Sequence, residues 1–436
     1  MVKIRYRIIP IVFIFLIMIV TYMDRTNLSI AILDIGPEFH LSVIEIGLLS
    51  SAFFYLYTLF QIPGGIWSER YGPRRIITAA VTWWSTFTIL TAAGISFIYL
   101  FFVRFMFGAG EAPIFPASAD LFSRWLKKYE QTRTWAISLS GMALGPIVGT
   151  IFGTYILLTL GWQWIFIIFG IVGLIVVLGF YVLVSDSASN SKHVSKEELN
   201  EIISSYVNPE KEMGKTKKTY APWKKLLKNG RFWAFGWVHF ACDYSVYGIL
   251  TLLPLYLITV RHFAKASLYY TGTLPWIVFI TVALISSLII DRWIKKGSSL
   301  FKARVIPAGI GFILSGIFLL WGAYSPSPIL AVILISLGMG FIGLPNINDW
   351  SLPSNIGGEF SGSYAGWMNF IGNLSGIVGP TLTTVLAAYL GWDVAIGFMG
   401  VISFTGAIAY FLMKPDKSFA PGLIPDYTPP KITDIK

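Results

Sequence analysis

Four ionisable residues stand inside stretches that otherwise hold almost no charge. Asp24 and Arg25 lie in the first apolar run, and Arg104 and Glu111 lie in the fourth. A charged side chain at membrane depth is expensive, so it needs a partner or a water-filled cavity, and a reason to be there. Arginine keeps its proton and presents a planar fork that fits a carboxylate, which suits Arg25 and Arg104 to an anionic ligand. A carboxyl group away from water exchanges its proton according to whether an arginine lies beside it. Asp24 or Glu111 could therefore take a proton when an anion occupies its arginine and release it when the anion leaves. Spacing groups these side chains. Arg104 and Glu111 are seven apart and share a helical face, with Gly108 between them; Tyr22, Arg25 and Ser29 share another, from which Asp24 is turned by about 100°. The plainer alternative is a pair of buried ion pairs that only join two helices. Such pairs are seldom net stabilising, which leaves a purely structural role weakly motivated.

The elements that must position these residues are long and apolar. Of 436 residues, 55% are hydrophobic and 13% charged, about half the charged share of a soluble chain. This excludes disorder and most soluble enzymes. Twelve spans are expected, at 8–33, 45–67, 76–93, 96–121, 134–158, 163–184, 232–260, 269–290, 304–323, 329–349, 361–389 and 393–413. The fold class is all-α, a polytopic membrane protein of two pseudo-symmetric six-helix bundles. The expected organisation is an N-terminal bundle (1–184), a cytoplasmic linker (185–231), a C-terminal bundle (232–413) and a tail (414–436). Within the linker, 195–207 could form a surface helix with Glu197, Glu198 and Glu201 facing water, although a plain connector is the simpler reading. The basic start followed by an apolar run resembles a secretory signal. No small-residue cleavage site precedes Tyr22-Met23-Asp24-Arg25, so an uncleaved first span is expected.

The net charge of +11 would suggest nucleic acid in a soluble chain. Its placement argues otherwise. With the N-terminus taken as cytoplasmic, 29 of the 33 Lys and Arg fall on the inner side and only Arg261 and Lys265 on the outer. The positive-inside rule predicts that asymmetry, with both termini in the cytoplasm and a plasma-membrane, multi-pass protein. The single cysteine, Cys242, excludes an internal disulfide, and four scattered histidines give no zinc spacing. No cofactor or metal is expected.

The halves echo each other. Gly65 to Arg75 after the second span matches Asp291 to Gly297 after the eighth. Spans 5 and 11 are both glycine-rich with a proline, and spans 6 and 12 open on Gly161-Trp162 and Gly391-Trp392. Two six-helix repeats follow, with a substrate site expected near the midplane between them. Further lining candidates are Tyr57, the polar run Asn346, Asn348, Asp349, Trp350, Ser351 ending span 10, and Asn369 and Asn373 one turn apart on span 11. The amides could bind hydroxyls or simply bond neighbouring helices. His239 and Asp243, at i and i+4 on span 7, could relay a proton or form an interhelical hydrogen-bonding pair. Asp120 is expected to pair with Arg124. Two motifs fail: Gly338 to Gly343 spells GxGxxG inside an apolar span with no strand before it, and Gly214-Lys215-Thr216 has Pro209 at the first position of a phosphate loop.

The loop Gly65-Ile66-Trp67-Ser68-Glu69-Arg70-Tyr71-Gly72-Pro73-Arg74-Arg75 resembles the signature loop of the major facilitator superfamily, with Glu69 where aspartate is usual. Tyr22 to Ser29, Gln61-Ile62-Pro63-Gly64-Gly65, and Arg104-Phe105 through Gly110-Glu111-Ala112-Pro113-Ile114-Phe115-Pro116 resemble its anion:cation symporter family, which includes transporters of sugar acids and phthalate. The resemblance covers nearly the whole chain. It implies a monomeric transporter in the lipid bilayer that takes a small organic anion inward with protons, by alternating access and without nucleic acid. Substrate would be held by Arg25, Arg104, Tyr57, Tyr22 and Asn369, protons by Asp24 and Glu111, and a cytoplasmic gate by Glu69, Arg70, Arg74, Arg75, Asp120 and Arg124. Sugar-acid relatives carry glutamine where Met142 stands, which shifts the expected substrate toward a carboxylate with a more apolar body. Alternatives are an anion exchanger or proton-driven exporter, since Gly145-Pro146 resembles a glycine-proline motif of antiporters. A non-transporting membrane metabolite sensor is the alternative of another class.

Overall fold

Apolar runs long enough to span a bilayer fold as helices because lipid cannot satisfy backbone N–H and C=O groups. The computed structural model describes residues 5–127, 130–205, 221–357, 360–422 and 426–427, and among these twelve long helices follow one another. They are α1 (Ile8–Glu38), α2 (Val43–Tyr71), α3 (Pro73–Thr91), α4 (Phe97–Glu111, continued as Ile114–Trp125), α5 (Gln131–Thr159) and α6 (Trp162–Leu183). After the polar segment come α7 (Gly230–Thr259), α8 (Leu274–Lys295), α9 (Ile306–Ala323), α10 (Pro328–Ile356), α11 (Ser361–Leu390) and α12 (Trp392–Met413). Among the described residues, eleven segments are apolar and long enough to cross a membrane on length and composition alone. The twelfth, α3, opens on Pro73-Arg74-Arg75 and carries several threonines, which dilute its hydropathy.

Local chemistry sets the ends. Ser96 accepts from Tyr99 N at 3.3 Å to start α4, and Ser327 accepts from Leu330 N at 3.4 Å to start α10. The Gly-Trp landmarks now have a reason. Gly161 and Gly391 take φ of +94° and +93°, and each stops one helix and launches the next; only glycine adopts that backbone without strain. Pro113 breaks α4, since it lacks an N–H and its ring clashes with the preceding turn. The helix resumes at Ile114.

Contacts divide the chain into two units, 1–41 with 48–219, and 42–47 with 220–436. In the first unit α1 is surrounded: every residue from Val20 to Leu33 is buried. That is why Asp24 and Arg25, which point in different directions, are both inside. A stripe of small residues on α5 allows the approach. A Cβ added to Gly145 would lie 2.7 Å from Ile19 O, and one at Gly149 3.2 Å from Met23 Cα. In the second unit α7 is likewise enclosed, with Ala241 to Leu250 all buried. Outward faces are apolar, as with Ile175, Leu178 and Val182 on α6. Apolar outside with charge inside inverts the soluble pattern and fits lipid.

Two expectations need correction. Span 10 does not end at residue 349: α10 runs to Ile356, so Asp349 lies well inside it and is 1% exposed. The surface helix spans Lys196–Ile203, and its acids do not simply face water. Glu198 is buried and accepts from the backbone N–H groups of Tyr6 (3.1 Å) and Arg7 (3.0 Å), free donors ahead of α1. Glu201 pairs with Arg5, with Lys127 at 2.7 Å and with Arg7 at 3.5 Å. The segment anchors the N-terminus to the basic turn after α4. Gly214-Lys215-Thr216, Pro209 and residues 206–207 lie outside the described residues.

Candidate functional site

In the first unit, α1, α2, α3 and α4 bring the ionisable residues together. Arg25 crosses from α1 to α4, where its Nε donates to Glu111 Oε1 at 2.6 Å and its Nη2 pairs with the same oxygen. Both are sealed, at 4% and 0% exposure. Three rings flank the guanidinium, with its Cζ 4.6 Å from the centroid of Tyr22, 4.9 Å from Phe53 and 4.7 Å from Tyr57. Each such contact contributes roughly 0.5–2 kcal/mol and excludes water from a charge that must stay ionised. Tyr57 stacks on Phe53 with centroids 4.9 Å apart. Its packing matters here: α4 can approach only because residue 108 is glycine, where a Cβ would collide with the Phe53 carbonyl.

Asp24 points the other way, as its position on α1 requires. Trp84 Nε1, on α3, donates to Asp24 Oδ2 at 3.2 Å, while Oδ1 is buried without a hydrogen bond. Arg104 donates from Nη1 to Asn27 Oδ1 at 3.4 Å, and its Cζ lies 4.7 Å from the Phe107 centroid. It interacts electrostatically with Glu111, Asp24 and Arg25. Two arginines and two carboxyl groups thus share one buried cluster, with Glu111 Oε2 also lacking a hydrogen bond. An arrangement of guanidinium groups and spare acceptor oxygens can exchange a carboxylate ligand for an internal one and take up a proton. Trp84 gave no sequence signal beyond being a tryptophan in a span, because its partner is set by how α3 packs on α1.

The remaining expected residues are distributed. Met142 is half-buried on α5, next to the Gly141 and Gly145 contacts with α1. Asn369 is half-buried on α11 in the second unit, where its carbonyl accepts from Asn373 Nδ2 at 2.7 Å. Asn373 in turn accepts from the Tyr247 hydroxyl at 3.1 Å, a bond between α11 and α7. Asp120 and Arg124 form a two-pronged pair at 2.8 and 2.9 Å, and the Ser68 hydroxyl donates to Asp120 at 2.7 Å. Arg74 is tied to α6: its N–H donates to Asp186 Oδ1 at 3.0 Å and its Cζ lies 4.2 Å from the Tyr181 centroid. Glu69, Arg70 and Arg75 are exposed, with Arg70 over the Tyr71 ring at 5.3 Å.

A second buried cluster lies between α7, α10 and α12. His239 faces Asp349 through Nδ1 at 3.3 Å and Asp243 through Nε2 at 3.5 Å, and the Tyr410 hydroxyl donates to Asp349 Oδ1 at 2.7 Å. His239 and Asp243 were visible as an i, i+4 pair. Asp349 was read as the end of a span and Tyr410 not singled out, since neither is near His239 in sequence.

Comparison with known proteins places this architecture. Residues 14–380 match the Major Facilitator Superfamily. The chain is 31% identical to an ascorbate transporter of Arabidopsis thaliana chloroplasts over 85% of its own length and 68% of the relative's. It is 30% identical to a probable sulfoacetate transporter of Cupriavidus necator over 91% of each, and 29% identical to a D-galactonate transporter of Escherichia coli over 94% and 96%. Among solved structures, a bacterial homologue of the human lysosomal transporter Spinster, in an inward-facing, unoccupied conformation, superposes with a TM-score of 0.77. It covers 94% of this chain and 97% of its own at 16% identity, a likeness of fold.

Proposed function

Because the chain belongs to the Major Facilitator Superfamily, a family of membrane transporters and not of enzymes, we propose that it carries a small organic carboxylate inward together with protons. The observation that carries this reading is the sealed Arg25–Glu111 pair inside its cage of Tyr22, Phe53 and Tyr57. A guanidinium already bonded to a carboxylate offers its fork to an incoming one of the same geometry. When substrate takes that place, Glu111 loses its counter-charge in a buried site and accepts a proton; when substrate leaves, Arg25 reclaims Glu111 and the proton departs. Arg104 holds the field that keeps an anion in the cluster, and Asp24, with its unbonded Oδ1, is the second proton acceptor. Relatives named for ascorbate, sulfoacetate and galactonate support an organic anion as cargo.

Energetics favour coupling. Moving one negative charge into a cell that is negative inside costs about 2.3 kcal/mol per 100 mV, and one proton per anion charge cancels it. The same reading puts the protein in the plasma membrane as a monomer with both termini cytoplasmic, the gate formed by the loop after α2 with Asp120 and Arg124, and alternating exposure of the Arg25 site to the two sides. The test is uptake into proteoliposomes of D-galactonate, sulfoacetate, hexuronates and aromatic carboxylates, with and without an inward proton gradient. Gradient-driven accumulation of at least one acid, lost in Arg25→Gln and Arg104→Gln, is expected. Wild-type uptake by either variant would remove the arginines as the anion clamp, and counterflow indifferent to pH would make the protein an exchanger.

A further inference from the structure

The transport mechanism above leaves one buried titratable cluster unused. In the second unit, His239 is 1% exposed and carboxylate oxygens face both of its ring nitrogens, Asp349 at 3.3 Å and Asp243 at 3.5 Å. A neutral imidazole has one N–H and one lone pair. Between two ionised acids its lone pair would point at an acceptor oxygen. Both contacts become favourable only when the ring carries two protons or one acid is protonated. The trio is therefore built around a proton that three groups can share.

The surroundings fix which atoms take part. Tyr410, from α12, donates to Asp349 Oδ1 at 2.7 Å and leaves Oδ2 for the imidazole. Trp350 meets the ring edge-on at 5.4 Å. On α11, a Cβ at residue 372 would collide with the His239 ring and lie 2.8 Å from Asp243 Oδ2, so Gly372 is what lets α11 close over the cluster. No Asp, Glu, Lys, Arg or His occurs in α11. On α7 the neighbouring thiol of Cys242 accepts from Asn346 at 3.5 Å. A described cation, Arg304, 8% exposed, bonds Asn348 at 3.3 Å and interacts electrostatically with Tyr410. A protonated His239 places one positive charge between the two facing carboxylates; removing that proton leaves two buried acids with a lone pair turned toward one of them. Asp243, at 6% exposure, is the least enclosed member.

We infer that His239, Asp243 and Asp349 form a proton-binding site of the second unit that loads one proton beyond those handled at Glu111 and Asp24. The repeat gives independent support. The first unit places its charges on α1 and α4, and the second places this cluster on α7 and α10, the same ordinal helices of each half. The coupling consequence rests on the reading that the chain moves an anion with protons. One more proton per anion adds one positive charge to each inward step, so the membrane potential drives uptake more strongly.

The test uses the full-length purified protein in lipid nanodiscs with ¹⁵N-labelled histidine rings, varying pH alone. His40, His193 and His262 are exposed, so the remaining signal, missing in His239→Gln, reports the site. A change of protonation of that ring between pH 5 and pH 9, displaced by about one pH unit or more in Asp243→Asn or Asp349→Asn, is the expected result. If His239→Gln does not fold, the displacement in Asp243→Asn supplies the assignment. A ring fixed in one state across the range, or a titration unmoved by both aspartate variants, overturns the site. In proteoliposomes, the reversal potential should report one proton fewer per anion in Asp243→Asn than in wild type; an equal count overturns its coupling. Wild-type vesicles that carry no acid would sink the anion-symport reading instead, and the ring titration would still decide the proton site.

Discussion

Exchanging Glu111 for glutamine keeps a side chain of the same length that can still meet Arg25, but it cannot cycle between charged and neutral forms. The expected outcome is retained binding and counterflow of the anion with loss of proton-driven accumulation, measured as uptake with and without a pH gradient. Accumulation at the wild-type level would move the proton to Asp24. Arg25→Gln is the harsher change, because it leaves Glu111 buried without its partner, and such breaks cost roughly 3–5 kcal/mol; its melting temperature must be read beside its transport. Met142→Gln should improve acceptance of polyhydroxylated acids by adding an amide at a half-buried position of α5; an unchanged ranking across hexonates, aldarates and aromatic acids would dismiss it as a determinant. At this scale much of the site was legible, since periodicity alone put Tyr22 with Arg25 and Arg104 with Glu111. What pattern could not show was pairing. That Arg25 meets Glu111 while Asp24 meets Trp84, and that Asp349 and Tyr410 complete the His239 cluster, depends on which helix lies against which.

Helices that must hold ionised groups at fixed distances need close, glycine-lined crossings. Gly108 is the sharpest case, since any Cβ there meets the backbone of Phe53 rather than a side chain that could swing away. Gly108→Val should therefore force α4 from α2, spread the cage around Arg25, and lower stability by about 1–3 kcal/mol. Thermal unfolding in detergent reads the first effect and anion uptake the second; a variant with normal melting and normal uptake would contradict the crossing. A second element-scale effect belongs to the Lys196–Ile203 helix. The hydrogen bond from Lys127, with Arg5 nearby, holds the Glu201 carboxyl below its ordinary range. A depressed carboxylate contributes stability above the unfolded value and loses it as pH falls through the folded one. Glu201→Gln should then melt below wild type at pH 7, with the gap closing under acid conditions below about pH 4. A gap constant across pH would deny the ion pairs any part. A plain connector was the favoured reading over this surface helix, and its docking on the N-terminus was not foreseen, because amphipathic pattern says which face is polar and not which partner neutralises it.

For the whole molecule, the arrangement to explain is repetition with divergence. Both halves enclose their first helix on all sides, and both use Gly-Trp with positive φ to start their last. Yet the first half carries arginines with carboxylates, and the second a histidine with carboxylates. The twelve-helix architecture was readable because span length and the placement of Lys and Arg are imposed by the bilayer rather than by packing. In the proposed mechanism only one half meets an anion with fixed positive charge, while either holds a proton. That division gives the last prediction. An anion that binds by displacing Glu111 from Arg25 should bind more tightly when protons are available to the displaced acid. A ligand that binds only the folded protein raises its apparent stability by about 2.7 kcal/mol at a hundredfold excess over its dissociation constant. Thermal unfolding at pH 5 and pH 7.5 with hexonates, hexuronates, aldarates, dicarboxylates and aromatic carboxylates should then show a selective shift that is larger at pH 5. The shift should persist without its pH dependence in Glu111→Gln and vanish in Arg25→Gln. Equal shifts at both pH values in the wild type would separate anion binding from protonation, and stabilisation only by neutral or cationic compounds would leave the arginines without an anion to hold.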